Sequence, residues 1–256
     1  MTSFSSKLLA LSVLALLPPL AHADCRSQSP AHAVALVELY TSEGCDSCPP
    51  ADGWLSKLDA RGDAVVPIGL HVDYWDRLGW KDRFASVAFT ERQYEQMRRQ
   101  HTAFVYTPQI LLQGRDFSQW RTGSYAAAIA AITAQPARAM IGLAVQAENG
   151  NARVDVRAKV PEQRDRPHAR LTVALVQDRL VSEVKAGENA GRRLTHDHVV
   201  RQWRSGLPIR ADGEAQERVT FPLPHEAGPL TVVAFVEDTV SGEVLQAFAL
   251  ALCEPR

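Results

Sequence analysis

The alternation of apolar and polar positions divides the chain into two textures. Ala33 to Tyr40 reads AVALVELY, a short apolar run of β-prone residues that predicts a buried central strand. Thr41 to Gly44 is a turn, and from Cys48 onward the spacing becomes helical, with Trp54, Leu55 and Leu58 on one side. Pro49 and Pro50 suit a first helical turn, where a missing N–H costs nothing, and Gly62 stops the helix. Val65 to Val72 predicts a second buried strand, with Pro67 marking an edge or a bulge. Phe84 to Arg99 is amphipathic, with Phe84, Val87, Tyr94 and Met97 at helical spacing. Gln109 to Gln113 and Phe117 to Trp120 read as a hairpin around Gly114-Arg115-Asp116, and Ser124 caps an Ala-rich helix that stops before Pro136.

Beyond Pro136 the helical pattern disappears. Ala139 to Ala147 and Ala152 to Val160 alternate in strand fashion across Asn149-Gly150, a strong hairpin signal. Leu171 to Gln177, Glu217 to Pro222, Leu230 to Glu237 and Val244 to Leu252 continue as strands, with a turn at Ser241-Gly242. Strands in series without helices predict a mostly antiparallel β-sandwich. The expected division is therefore an N-terminal β-α-β-type domain over residues 24–137 and a β-sandwich-like domain over 138–256.

The first residues stand apart from both. Lys7 is the only charge in the first 23 residues, Leu8 to Leu17 is apolar, and Ala21-His22-Ala23 has the A-x-A form of a cleavage site. This is the layout of a secretory signal peptide over residues 1–23, and it predicts an exported, periplasmic or secreted protein. The apolar run is too short to span a bilayer. Composition adds little: 28 Lys and Arg balance 29 Asp and Glu, which argues against a nucleic-acid partner.

Chemistry enters with four cysteines. Cys45 and Cys48 form C-x-x-C, which leaves Cys25 and Cys253 to tie the chain ends in a structural disulfide, the simplest account for an exported chain. The alternative, four cysteines on one metal ion, has no support from the spacing. A C-x-x-C between a buried strand and a proline-started helix favours redox use: free N–H groups at a helix start stabilise a thiolate, and a second cysteine one turn on resolves a mixed disulfide. Cys45 is thus the candidate nucleophile and Cys48 the resolving thiol. Thr107-Pro108 precedes the third strand, where proline can bring backbone beside the cysteine pair.

The element order, CDSC at a helix start and Thr107-Pro108 together resemble a thioredoxin fold over roughly Val34 to Gln135. More narrowly, VELYTSEGCDSCPPAD, HVDYWDRLGWKDRF, YTPQILLQG and GENAGRRLTHDHVVR resemble the exported bacterial family DUF1223, a thioredoxin-like domain followed by a β-rich domain, with no assigned activity. The resemblance implies an α/β thioredoxin-like domain followed by the mostly antiparallel sandwich. It puts Pro108 in the cis-proline place and Glu38 in that of a buried carboxylate handling the resolving cysteine's proton; pairing of Glu38 with an arginine is the competing reading. Gly44 stands where thioredoxins carry Trp.

His71 and Asp73 lie two apart at a strand end, among Tyr74, Trp75 and Trp80. His71 beside the cysteines could complete a soft-metal site, but most of this segment reads as filler between sheet and helix, with Asp73, Asp76 or Asp82 capping a helix. His196 and His198 read as a surface pair, and Gly187 to Gly191 lacks the context of a phosphate loop. Three functions follow: a cofactor-free thiol–disulfide oxidoreductase acting on protein thiols or disulfides or a redox partner; a copper-handling protein using the same cysteines; and a binding protein with an inert disulfide. No cofactor, resident metal or membrane span is expected, the β half offers a surface for homodimer pairing, and no hydrolase motif is present.

Overall fold

The structure, a computed structural model, describes residues 25–59 and 64–253. The signal peptide expected at 1–23 and the helix stop at Gly62 lie outside those residues. The described residues build fourteen strands and three α-helices. In chain order these are β1 (Cys25–Gln28), β2 (Ala35–Thr41), α1 (Pro49–Leu55), β3 (Val65–His71), α2 (Val87–Arg99), β4 (Gln109–Leu112), β5 (Arg115–Asp116) and α3 (Ser124–Thr133). There follow β6 (Met140–Glu148), β7 (Asn151–Lys159), β8 (Ala169–Gln177), β9 (Leu180–Glu183), β10 (Arg193–His196), β11 (Val199–Pro208), β12 (Glu214–Pro222), β13 (Leu230–Asp238) and β14 (Val244–Ala251).

This architecture corrects the expected α/β thioredoxin-like domain followed by a sandwich. Strands take 43 % of the described residues against 18 % in helices, so the molecule is mostly β. One eight-stranded sheet runs β14-β13-β8-β11-β3-β2-β4-β5, joining strands from both textures. The seam is β3 against β11, parallel at Gly69 and Val199, where the Gly69 N–H donates to the His198 carbonyl at 2.7 Å. That single register point leaves Pro67, two residues earlier, without a ladder partner on that side, which is why a proline is tolerated there. A separate four-stranded antiparallel sheet, β1-β6-β7-β12, and a β9–β10 ribbon complete the fold.

Three apolar layers follow from strand alternation. Ala35, Val37 and Leu39 of β2 pack on α1 and α3, whereas Leu36 and Tyr40 face the opposite side with Phe89 of α2. Farther along the large sheet, Leu171, Val173 and Leu175 pack against Ile141, Leu143, Val154 and Val156 of the four-stranded sheet.

Helix α2 differs from its sequence reading. Val87 and Tyr94 are exposed, and the buried face carries Phe89, Arg92, Gln93 and Gln96. The helix covers a sheet face with two buried carboxylates, Glu38 and Glu237, and turns its polar residues toward them. The hairpin after Pro108 is also shorter: β5 ends at Asp116, and Ser118–Arg121 is a 3₁₀ turn. Strands β1, β9, β10 and β11 had no sequence reading.

Candidate functional site

Strand β2 delivers the chain into a turn, Ser42 to Cys48, on which α1 begins. Cys45 and Cys48 are joined by a disulfide, with Cα atoms 5.4 Å apart. The Cys45 carbonyl accepts from Cys48 N–H at 3.3 Å, and the Cys48 carbonyl accepts from Ala51 and Asp52 N–H at 2.8 and 3.1 Å, so the turn runs directly into α1. Both cysteines are fully buried; Asp46 and Ser47 between them are the exposed tip.

A loop from far along the sequence clasps this turn. Asn189 is fully buried, and its side-chain amide donates to the carbonyls of Glu43 (2.9 Å) and Cys45 (2.8 Å). Glu188 accepts from Asp46 N–H at 3.1 Å. A Cβ on Gly187 would lie 3.4 Å from Trp80 and 3.7 Å from Gly44, so loop and turn meet backbone to backbone.

Beneath the turn lies a buried acid–base cluster. His71, at the end of β3, bonds Asp82 through Nδ1 at 2.7 Å, and Asp82 also accepts from Glu43 and Phe84 N–H at 2.9 Å each. Trp80 Nε1 donates to Glu43 at 2.7 Å, and His196 Nε2 stands 3.4 Å from the other Glu43 oxygen. The His71 and His196 rings meet edge to face, centroids 5.1 Å apart, with Phe84 against both. Asp52, one turn beyond Cys48 on α1, completes the group; α1 packs against β10, which carries His196.

The proton affinities diverge. Burial pushes the His71 imidazolium down, but the Asp82 charge and hydrogen bond outweigh it and hold His71 above its ordinary value. Burial pushes Asp82 up, but His71 and the two backbone donors hold it below the usual carboxylate range. Glu43 is likewise held low against its burial by His196, Ser182 and Trp80. Asp52 goes the other way: burial raises it, and the nearby imidazoles only partly offset that. His196 has no closer polar partner among the described residues than the Glu43 oxygen at 3.4 Å, an uncommon state for a buried imidazole.

With this geometry in view, a family model described as Protein of unknown function (DUF1223) matches residues 36–237. The chain belongs to this family. The DUF1223 match runs from β2 to β13 and takes in the cysteine turn, the clasping loop and the whole buried cluster. No curated protein matches the chain. Among solved structures, protein AGR_C_4864 of Agrobacterium tumefaciens is 27 % identical, with a TM-score of 0.60 over 88 % of this chain and 97 % of its own. HBP35 of Porphyromonas gingivalis reaches a TM-score of 0.62 at 16 % identity, over 88 % of this chain and 76 % of its own, a likeness of fold alone.

Other residues singled out from sequence fall as follows in this DUF1223 chain. The Thr107–Pro108 peptide bond is cis. Gln109 pairs with Tyr40 in an antiparallel ladder, so Pro108 lies at the end of β2 from which the cysteine turn departs. Trp75 links the two places: its Nε1 donates to Thr107 at 2.7 Å, and its Cβ would lie 3.3 Å from a Cβ on Gly44.

Glu38 is not beside the cysteines. It shares the β2 face of Leu36 and Tyr40, opposite α1, and Arg92 grips it at 2.6 and 3.1 Å. Arg92 also holds Glu237, at 2.9 and 3.1 Å. The arginine pairing is therefore the one present. His196 and His198 are buried, not a surface pair: the His196 ring packs on His71 and Phe84, and the His198 carbonyl takes the Gly69 N–H at the β3–β11 seam. Helix α2 is capped by Ser86, while Asp82 serves His71.

Cys25 is joined to Cys253 across 228 residues. Among the described residues no three His, Cys, Asp or Glu are arranged to hold a metal ion. Sequence reading missed Asn189, Glu43 and Asp52; the one available signal was GENAG, glycines around a polar pair within the family-like motif.

Proposed function

We propose that this protein is an exported thiol–disulfide oxidoreductase working through Cys45 and Cys48. The observation that carries the reading is the seat of the disulfide: a pair three residues apart, at a strand-to-helix turn, over buried imidazoles and carboxyls with divergent proton affinities. The leader over residues 1–23 supports export to a compartment where disulfides persist.

The step balances without a cofactor. A partner thiolate attacks Cys45 Sγ; the partner–Cys45 bond forms, the Cys45–Cys48 bond breaks, and Cys48 leaves with the electron pair. Asp52, on the same helical face one turn away, is the group positioned to pass Cys48 a proton. A second partner thiolate then attacks the partner sulfur of the mixed disulfide and releases Cys45 as a thiolate, which takes its proton from water. The partner loses two electrons and gains a disulfide; the protein gains those electrons and ends as a dithiol. Run backward, the same steps reduce a partner disulfide. Because Asn189 and Glu188 hold the turn shut over buried sulfurs, the 187–191 loop is what must lift to admit a partner.

The burial of both cysteines favours a second reading, in which their bond is structural. Two measurements separate the readings. An oxidoreductase gives a Cys45–Cys48 potential above about −250 mV, and Cys48→Ser accumulates mixed disulfides through Cys45. A potential below about −300 mV with nothing trapped establishes the structural bond instead.

A further inference from the structure

The outer face of the four-stranded sheet carries a hollow of about 520 Å³, remote in sequence and topology from the cysteine turn. We propose that it binds a small organic molecule bearing two carboxylates. Cross-strand register assembles the hollow. One row across the sheet is Arg26, Ala144, Asp155 and Arg218; the next is Gln28, Gly142, Arg157 and Gln216. The alternate positions, Leu143, Val154 and Val156, point inward to the core, so these two rows form the outer face.

The floor is made of the two smallest side chains in those rows, Gly142 and Ala144. Glycine weakens a strand interior, and nothing at Gly142 demands it: its φ is not in the left-handed region, and an added Cβ would meet no atom within 4 Å. What Gly142 provides is depth, between Arg26 and Gln28 on β1 and Asp155 and Arg157 on β7.

The charge is specific. Arg218 donates to Asp155 at 2.7 Å and neutralises the one carboxylate among the lining residues. Arg26 and Arg157 have no ion-pair partner among the described residues and stand on opposite sides of the floor. Two strand spacings and one two-residue step put their Cα atoms about 12 Å apart. Guanidinium forks take carboxylates in two parallel hydrogen bonds, so this pair suits two carboxylates joined by a short apolar spacer lying over Gly142 and Ala144. Gln28 and Gln216 add neutral donors and acceptors at the rim. The volume is that of a small-molecule site, which decides for a small ligand over a docked protein.

The test is titration of the full oxidised protein with adipate, by calorimetry and by amide chemical shifts, with butyrate as the single-carboxylate control. Saturable adipate binding is expected, with shifts on β1, β6 and β7 and butyrate weaker by at least about tenfold. Arg26→Gln and Arg157→Gln should each weaken adipate by about tenfold or more. Gly142→Phe should abolish binding with far-UV circular dichroism unchanged; if that variant does not fold, the two arginine variants decide. The proposal is overturned by no saturable binding, by butyrate matching adipate, by arginine variants that bind like wild type, or by hexaglutamate binding where adipate does not. None of these outcomes bears on the disulfide, whose potential is measured separately.

Discussion

At the scale of single residues, Arg92 and Asp52 show how burial turns a charge into either a structural bond or a proton store. Arg92 neutralises Glu38 and Glu237 beneath α2, with the Tyr40 hydroxyl also donating to Glu38 at 3.2 Å. Removing the guanidinium leaves Glu38 with the Tyr40 hydroxyl alone and Glu237 with only the looser Arg99 pair at 3.6 Å. Arg92→Met should therefore cost about 3–5 kcal/mol of stability in urea unfolding. A loss under about 1 kcal/mol would mean that the carboxylates find water or other partners. Asp52 is raised by burial, so its ionisation opposes folding: wild-type stability from this group falls as pH climbs from the unfolded carboxylate value through the raised folded one. Asp52→Asn should consequently stabilise the protein at pH 8, with the gain shrinking toward pH 4 by at most about 1.4 kcal/mol per pH unit, read from melting curves across pH. His71 has the same sign of pH dependence for the opposite charge: its raised affinity stabilises the fold below its unfolded value, and the benefit is lost as pH rises through the folded one. AVALVELY made Glu38 visible as an anomaly, but only the fold shows which of its two readings holds, because a strand's alternation assigns faces without saying what covers each.

At the scale of elements, the decisive piece is the 187–191 loop. Asn189 satisfies two buried carbonyls of the cysteine turn. Asn189→Ala takes this donor from the Glu43 carbonyl and leaves the Cys45 carbonyl with Cys48 N–H alone, at about 1–3 kcal/mol, and should speed reduction of Cys45–Cys48 by dithiothreitol. An unchanged reduction rate would show that the loop does not guard the bond. The β4–β5 turn makes a second contact between sequence-distant elements: a Cβ at Gly114, whose φ is +74°, would sit 1.9 Å from the Gly242 carbonyl. Gly114→Ala should destabilise by more than the usual conformational penalty of about 1 kcal/mol, measured by urea midpoint. The β6–β7 hairpin was legible because Asn149-Gly150 carries its own geometry, both residues adopting positive φ. Helix α2 was legible as a helix but not in its orientation, since its buried face is polar and hydropathy gives that face no signal.

At the scale of the whole molecule, two bonds of unlike kind unite the chain. The Cys25–Cys253 disulfide joins the first described strand to the second residue beyond β14, and the β3–β11 seam carries one sheet through both textures. The disulfide closes a loop of 228 residues, so Cys25→Ser with Cys253→Ser should lower stability by up to about 5 kcal/mol in the chain-entropy account. A loss below about 1 kcal/mol in the same unfolding measurement would mean that strand pairing alone secures the ends. The sequence by itself determined the strand and helix positions with strong local signals, the two textures and the Cys45–Cys48 pairing, because apolar period, turn residues and cysteine spacing are properties of neighbouring residues. Tertiary structure alone decided that β3 pairs with β11, that Glu38 belongs to Arg92, and that Asn189, Glu43, Asp52 and two histidines enclose the cysteine turn. Those outcomes rest on contacts between residues up to 146 positions apart, through backbone at the seam and elsewhere through ordinary polar side chains whose roles are set by what the fold places against them.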